Sequence, residues 1–547
     1  MKLVSVPEMQ AVEQEANAAG LTYGLMMENA GSGLADVVQE DFGQQKDAGV
    51  LGLVGSGNNG GDTLVALAAL ADRGWKASAY LVRARPKEDP LLKRVKDKEV
   101  LILNVDDDPG FIKLDALLKE HAVLLDGILG TGIKLPLRGK VAEVLGFIKN
   151  ALDVQPRSVT VVAVDCPSGV DCASGETAAE AIAADLTVTM AAAKIGLLMF
   201  PANNYIGELK LVGIGLEDRE KNLKTWQGIR RRVVDLEWVK QILPRRPRDA
   251  HKGTFGTAMI VAGSVNFTGA AYLAGKAAYL AGVGLVTLAV PAPLHAALAG
   301  QFPEATWLLL PDAMGVINDD ASEVIYANLG QATAILIGPG FGLEDETEKF
   351  LTRLLTTKKQ RGKIGFLPSN SQSISGTQSI VPLPPAVIDA DGLKLLSRIP
   401  QWSSLFPDPA VLTPHPGEMA ILTGLEISEI QADRIQTAER FAAEWGHIVV
   451  LKGANTVIAS PERGSAVVPV ATPALARAGT GDVLAGLIVG LRAQGVEAFE
   501  AAVCGCWLHA QSGLAAAGQI GTTRSVLAGD LLGSIASVIS EVERFTS

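Results

Sequence analysis

Val50-Leu51-Gly52-Leu53-Val54 runs into Gly55-Ser56-Gly57-Asn58-Asn59-Gly60-Gly61-Asp62, after which the chain reads as a helix from Thr63 to Arg73 and a second strand from Ala77 to Val82. Strand, glycine turn, helix and strand make a βαβ unit of ordinary length, and such a unit closes with a right-handed crossover onto a parallel sheet. Ligands of doubly wound sheets bind where the carboxyl ends of the strands meet. Two more runs end in polar residues there: Val123-Leu124-Leu125 leads into Asp126-Gly127-Ile128-Leu129-Gly130-Thr131-Gly132, and Val159 to Val164 into Asp165-Cys166-Pro167-Ser168-Gly169. Asn59, Asp126, Asp165 and Ser168 are therefore expected to converge. Upstream, helices are expected from about Glu8 to Ala19 and from Leu25 to Val38, with Met26 and Met27 as core filler.

At 547 residues the chain exceeds one core, and 48% hydrophobic with 20% charged residues describes a globular protein of two or more domains. A net charge of -11 argues against nucleic acid as a partner, since phosphate backbones are held by excess Lys and Arg. The four cysteines, Cys166, Cys172, Cys504 and Cys506, lack the C-x-x-C spacing of a zinc or redox site and are expected as reduced core or near-site thiols. The N-terminus lacks the apolar core of a signal peptide, and other apolar runs are too short or glycine-broken to span a bilayer. A cytoplasmic enzyme without a membrane partner is expected.

Trp226 to Arg248 carries Arg230-Arg231-Arg232 and Pro244-Arg245-Arg246-Pro247-Arg248 and is read as a connection. The expected division is 1–225, a linker 226–248, and 249–547. Beyond it strands are expected at Thr257–Ala262, Leu285–Val290, Ala334–Ile337, Ala386–Asp389, Val411–Thr413 and His447–Leu451, a second α/β alternation. Lys363 to Ser379, rich in Ser, Gly and Gln, is read as a mobile surface loop without chemistry.

In that half, Ala478-Gly479-Thr480-Gly481-Asp482 opens the apolar helix that begins Val483-Leu484-Ala485. Glycines ahead of a helix leave N–H groups uncovered at its positive end, where phosphate binds. Asp482 in the first turn either caps the helix or takes a proton from an alcohol attacking a phosphoryl group. Gly263-Ser264, Thr268-Gly269-Ala270 and Gly338-Pro339-Gly340-Phe341-Gly342 offer glycine turns beside strands for a substrate. Lys452-Gly453-Ala454-Asn455-Thr456 lies between two strands and suits either a nucleotide phosphate or a plain hairpin.

The Asn58-Asn59-Gly60-Gly61-Asp62, Asp126 and Asp165–Gly169 segments resemble the NAD(P)H-hydrate epimerases, and the second half, with Ala478–Asp482, resembles the ribokinase-like NAD(P)H-hydrate dehydratases. Over nearly the whole chain the two together resemble the bifunctional nicotinamide-nucleotide repair family. The resemblance implies a Rossmann-like doubly wound sheet followed by a ribokinase-like α/β domain. It also implies the reactions: R and S forms of hydrated NADH and NADPH (NADHX and NADPHX) are epimerised, and the S form is dehydrated with ADP or ATP.

Site residues follow by the same resemblance. Asn58, Asn59, Gly60, Gly61, Asp62, Gly130, Thr131, Gly132 and Asp165 would bind the epimerase substrate, the glycines letting backbone approach the dinucleotide phosphates. Asp165 would be its acid/base. Asn59, Asp126 and Ser168 offer oxygens that suit a hard cation, which the resemblance makes K+. In the dehydratase Ala270, Gly340, His415 and Asp482 would bind the hydrate, with Asp482 as base. Lys452, Gly453, Ala454, Asn455, Thr456 and Gly481 would bind the nucleotide with Mg2+. Two positions depart from pattern: Thr63 stands where a further glycine is expected. His415 replaces the asparagine of the Asn-x-x-Glu magnesium motif ending at Glu418, which weakens a sugar or vitamin kinase reading. A homo-oligomer is expected. The alternative reading is a small-alcohol or vitamin kinase with a non-catalytic N-terminal binding module.

Overall fold

The computed structural model describes residues 1–86, 88–154, 159–356 and 382–544, so the segment Lys363 to Ser379 lies outside the described residues. Two compact units divide the chain, Met1–Val233 and Val234–Ser547.

In the first unit the sheet runs Leu101–Asn104, Ala77–Leu81, Val50–Val54, Val123–Gly127, Thr160–Val164, Leu186–Met190, Glu208–Val212, with every neighbour parallel. The earliest of these strands, Val50–Val54, lies inside, so the order reverses between it and Val123–Gly127. All five of its residues are buried. Val50 and Val54 pack with Leu64 and Leu67 of the helix on one face, while Leu51 and Leu53 pack with Leu114 and Val144 on the other. Covering both faces is what a parallel sheet requires.

The first helix of the βαβ unit spans Asn58–Asp72 and not Thr63 onward, so Asn58 to Asp62 form its opening turns rather than the preceding loop. Low glycine propensity concealed that start. Packing enforces it: a Cβ on Gly60 would lie 2.1 Å from the Gly55 carbonyl oxygen and one on Gly61 2.6 Å from Met27 Sδ. Thr63 turns its hydroxyl back to the Asn59 carbonyl at 2.7 Å, which accommodates the departure noted above. Leu186–Met190 escaped the sequence reading because its threonines look polar, yet Thr187 and Thr189 are buried and hydrogen-bonded, Thr187 to the Ile206 carbonyl at 2.7 Å.

Residues 226–248 carry ordered structure. Trp226 is buried in the first unit's core, and the helix Leu236–Ile242 buries Trp238 and Val239 in the second's. The apolar residues interleaved with the arginines decide this.

The second unit's main sheet runs Gly464–Val467, Val457–Ser460, Ile448–Leu451, Val411–Leu412, Ala386–Ile388, Ala334–Ile337, Thr257–Val261, Leu285–Pro291, Thr306–Leu310. Pairing is parallel except among the first three, so Lys452–Thr456 is the turn of an antiparallel hairpin. The helix Thr480–Ala493 is buried almost throughout and packs on Thr268–Leu280. Contact is at backbone distance: a Cβ on Gly486 would lie 2.2 Å from the Ala274 carbonyl oxygen.

Candidate active sites

The carboxyl ends of the first unit's strands bring Asn59, Asp126 and Ser168 together. Asp126 is fully buried; its Oδ1 accepts the Ser168 hydroxyl at 2.5 Å and its Oδ2 the Ser168 N–H at 2.7 Å. Burial pushes the Asp126 carboxyl up, and the Ser168 hydrogen bonds oppose that. Asn59 donates its amide to the carbonyls of Val164 at 2.5 Å and Leu129 at 3.2 Å. Its Oδ1 is thereby turned to Gly130, where a Cβ would lie 2.5 Å from it. Gly130, like Gly60 and Gly61, is thus a glycine for the chain's own packing; beside Gly132 the space is open to 4 Å.

Asp165 sits at φ +67, a left-handed conformation that costs a non-glycine residue about 1–3 kcal/mol. Its Oδ1 accepts the Met190 N–H at 2.9 Å and the Thr189 hydroxyl at 3.2 Å, and it ion-pairs with Lys194. Lys194 is almost wholly buried and also donates to the Met190 carbonyl at 3.1 Å. Burial alone would lower the Lys194 pKa; the Asp165 carboxylate outweighs it and raises it. Asp62 joins this group: burial raises its pKa strongly, the Asp165 charge adds to that, and Lys194 opposes. Cys166 and Cys172 are free and buried, and a hydrogen bond with Cys172, together with burial, pushes the Cys166 thiol up. At the sequence level Lys194 carries no signal, standing in the plain run Ala191-Ala192-Ala193-Lys194.

The second unit's site gathers at the N-terminus of Thr480–Ala493. Gly479 takes φ +88 at the N-cap without a side-chain cap, and Asp482 follows in the first turn. Burial raises the Asp482 carboxyl to about 7, Asp389 adds to the shift, and Lys452 opposes it. Lys452 donates to Asp389 Oδ1 at 2.6 Å and lies 3.5 Å from Glu418 Oε2. It is therefore a cation shared by two buried carboxylates rather than a free phosphate ligand. A Cβ on Gly481 would lie 3.6 Å from Lys452 Nζ, so the helix N-terminus looks onto this pair.

His415 is the N-cap of Pro416–Thr423: its Nδ1 accepts the N–H groups of Gly417 and Glu418, and Glu418 accepts the His415 N–H at 2.8 Å. An acceptor Nδ1 fixes the neutral tautomer with the proton on Nε2, which lies 3.3 Å from Glu418 Oε1. Burial lowers the His415 pKa in keeping with that form. Half of the ring stays exposed (51%), enough to touch a ligand as well. Gly340, at φ +66, packs against Ala270 and Phe267, and the Gly263 N–H donates to the Pro339 carbonyl at 2.8 Å, joining the two glycine turns. In the hairpin turn Lys452–Thr456, Gly453 (φ +148) faces Arg434, whose guanidinium donates to the Leu451 and Lys452 carbonyls. Thr456 closes the loop by donating to the Gly453 carbonyl at 2.8 Å, and Asn455 takes φ +52.

Asp389 and Asp391 also lie beside Asp482, and the sequence reading assigns them no role. Asp389 was read only as a strand end, although Asp389-Ala390-Asp391-Gly392 shows the same polar strand terminus as Asp126 and Asp165. The Thr413 hydroxyl donates to Asp389 at 2.7 Å, and Asp391 accepts the Gly342 N–H at 3.0 Å. Among the described residues no group of three or more His, Cys, Asp or Glu is arranged to hold a metal ion.

These features define a two-unit α/β protein, each unit with a polar site where the carboxyl ends of its parallel strands meet, the first with the strand order of a Rossmann-like doubly wound sheet. The family model described as NAD(P)H-hydrate dehydratase matches residues 258–361 and 377–536, and that described as YjeF-related protein N-terminus matches 24–196. The bifunctional NAD(P)H-hydrate repair enzyme Nnr of Moorella thermoacetica is 34% identical over 99% of this chain and 97% of its own length. Its counterpart from Salinibacter ruber is 34% identical over 95% and 93%. The crystal structure of the ADP/ATP-dependent NAD(P)H-hydrate dehydratase from Bacillus subtilis, co-crystallised with ATP and Mg2+, is 28% identical, covering 57% of this chain and 98% of that one with a TM-score of 0.46. The chain belongs to the family of bifunctional NAD(P)H-hydrate repair enzymes.

Proposed function

We propose that this chain returns hydrated NADH and NADPH to the working cofactors, epimerising the R and S hydrates in the unit Met1–Val233 and dehydrating the S hydrate with ADP or ATP in the unit Val234–Ser547. The observation that carries the reading is Asp482, a carboxyl with a pKa of about 7 at an uncapped helix N-terminus. Hydroxide is a poor leaving group, so the ring hydroxyl is first phosphorylated. Asp482 takes its proton as the oxygen attacks the terminal phosphoryl group, and the N–H groups of Gly479 and Gly481 face the transferring charge. Phosphate then departs as the ring nitrogen supplies its electron pair, and loss of the C5 proton from the resulting iminium to solvent restores the C5–C6 double bond; the spent nucleotide leaves as AMP from ADP or as ADP from ATP.

The charge on the nucleotide phosphates would be neutralised by a bound magnesium ion. The Glu418 oxygens are already engaged by His415 and Lys452, which fits a contact to the ion through water rather than direct ligation. Lys452 holds Asp389 and Glu418 in place beside the nucleotide loop Gly453–Thr456.

In the first unit Asp165 moves the proton of the hemiaminal, with Lys194 fixing its carboxylate. The oxygens of Asn59, Asp126 and Ser168 fit K+: the set is all oxygen, and Asp126 is a buried carboxylate whose hydrogen bonds come from Ser168 and the Ile128 backbone. K+ there would anchor the loops that carry Asn59, Gly130 and Ser168. Four free, buried cysteines fit a reducing, cytoplasmic setting. No helix among the described residues is long and apolar enough to cross a membrane.

The test supplies the S hydrate with Mg2+ and either ADP or ATP and follows reduced-nicotinamide absorbance. Recovery of absorbance with release of inorganic phosphate is expected. A phosphorylated product that persists without recovery would favour a small-alcohol kinase instead.

A further inference from the structure

We propose that a cavity in the first unit, walled by Arg83 and the segment Leu129–Val141, receives the adenosine half of the dinucleotide and selects the 2′-phosphorylated hydrate, NADPHX, over NADHX. This rests on the epimerase reading above.

Topology supplies the first argument. Val50–Val54 lies between Ala77–Leu81 and Val123–Gly127, so the order reverses beside it and opens a crevice at the strands' carboxyl ends. In dinucleotide folds of this order the glycine turn after the first strand meets the pyrophosphate. The end of the second strand meets the adenosine ribose, where an acidic side chain pairs with a 2′-hydroxyl and an arginine accommodates a 2′-phosphate. Here the turn is Gly55-Ser56-Gly57-Asn58-Asn59-Gly60, and the strand ending at Leu81 is followed by Val82 and Arg83.

Shape and charge supply the second. The cavity measures about 550 Å³, room for a nucleoside phosphate, and no acidic side chain lines it. Ile133, Leu135 and Leu137 give it an apolar wall suited to a purine, while Arg83, Lys134 and Arg138 give it three exposed cations. None of the three is ion-paired to a carboxylate among the described residues. Arg85, two positions on, shows the contrast: its Nε donates to Asp89 at 2.7 Å and its guanidinium to the Gly55 carbonyl at 2.9 Å, so it braces the glycine turn. The uncapped N-terminus of Asn58–Asp72 already offers N–H groups to the pyrophosphate. That leaves the cations of the cavity for a phosphomonoester.

The test compares kcat/KM for interconversion of the NADHX and NADPHX epimers by the full chain and by the triple variant Arg83→Gln, Lys134→Gln, Arg138→Gln, each checked by thermal melting. The wild type is expected to favour NADPHX by about tenfold or more, the range of charge-assisted hydrogen bonds to one phosphate. The variant should lose most of that ratio through NADPHX, with NADHX changing much less. Equal use of both hydrates by the wild type, or an intact preference in the variant, would overturn the proposal. Calorimetric titration of the wild type and of the triple variant with adenosine 2′,5′-bisphosphate and with 5′-AMP, so that binding at the second unit's nucleotide site is common to both proteins and cancels, separates the two readings. Tighter binding of the bisphosphate, lost in the variant, supports the subsite even where neither hydrate is epimerised, a result that would sink only the epimerase assignment. Equal binding of the two nucleotides contradicts the subsite itself.

Discussion

Asp482 holds its proton to about pH 7 because burial and the neighbouring Asp389 charge outweigh the help of Lys452. An ordinary aspartate titrates near about 4, so the folded state prefers the protonated form. The stability this contributes is complete below about pH 4 and is lost as pH rises through about 7. The base, by contrast, exists only once the proton has gone. Dehydration should therefore accelerate through about pH 7 while wild-type stability, measured against Asp482→Asn, declines between about 4 and 7. The same variant should lose roughly 10²–10⁴-fold in kcat at saturating nucleotide. Asp482 makes no side-chain cap bond to its helix and Asn keeps its size, so near-normal turnover would remove the catalytic role of Asp482. Asp482 was marked in the sequence as a candidate because glycines and a carboxylate open an apolar helix. Asp389 and Lys194 were not, since what marks them is a partner far along the chain: Lys452 for one and Asp165 for the other.

Helices and strands were read well where apolar periodicity was unbroken, as in Val50–Val54, and poorly where packing overrode composition. Asn58–Asp72 carries two glycines in its opening turn that propensity assigns to a loop, and their close approach to Gly55 and Met27 leaves no room there for a side chain. Leu101–Asn104, half-exposed at the sheet's edge, gave no buried alternation to find. The same glycine chemistry makes a paired prediction in the second unit. Gly486→Ala drives a methyl into the Ala274 carbonyl and should destabilise by about 1–3 kcal/mol, tilting the helix that carries Asp482. Gly533→Ala, in Ala528–Arg544 with nothing within 4 Å, should stabilise by up to about 1 kcal/mol. Thermal melting reads both, and equal effects of one sign would contradict the contact geometry.

Each unit has its own sheet and its own core, and the proposed catalytic groups divide cleanly, Asp165 in Met1–Val233 and Asp482 in Val234–Ser547. The sequence reading divides the chain at 226–248 from a change of composition, whereas the compact units meet at Val233 and Val234. Residues 226–248 were harder to read, because clustered arginine and proline hid Trp226 and Trp238, each of which packs into a core. Two activities in two units should separate by mutation. The decisive measurement gives mixed R and S hydrates, with Mg2+ and ADP or ATP, to the wild type, to Asp165→Asn and to Asp482→Asn, and follows reduced-nicotinamide absorbance with the epimers resolved chromatographically. The account predicts that the wild type consumes both epimers, that Asp165→Asn consumes S and leaves R behind, and that Asp482→Asn interconverts the epimers without recovering absorbance. Loss of both activities in either folded variant, or full epimerisation by Asp165→Asn, would contradict it.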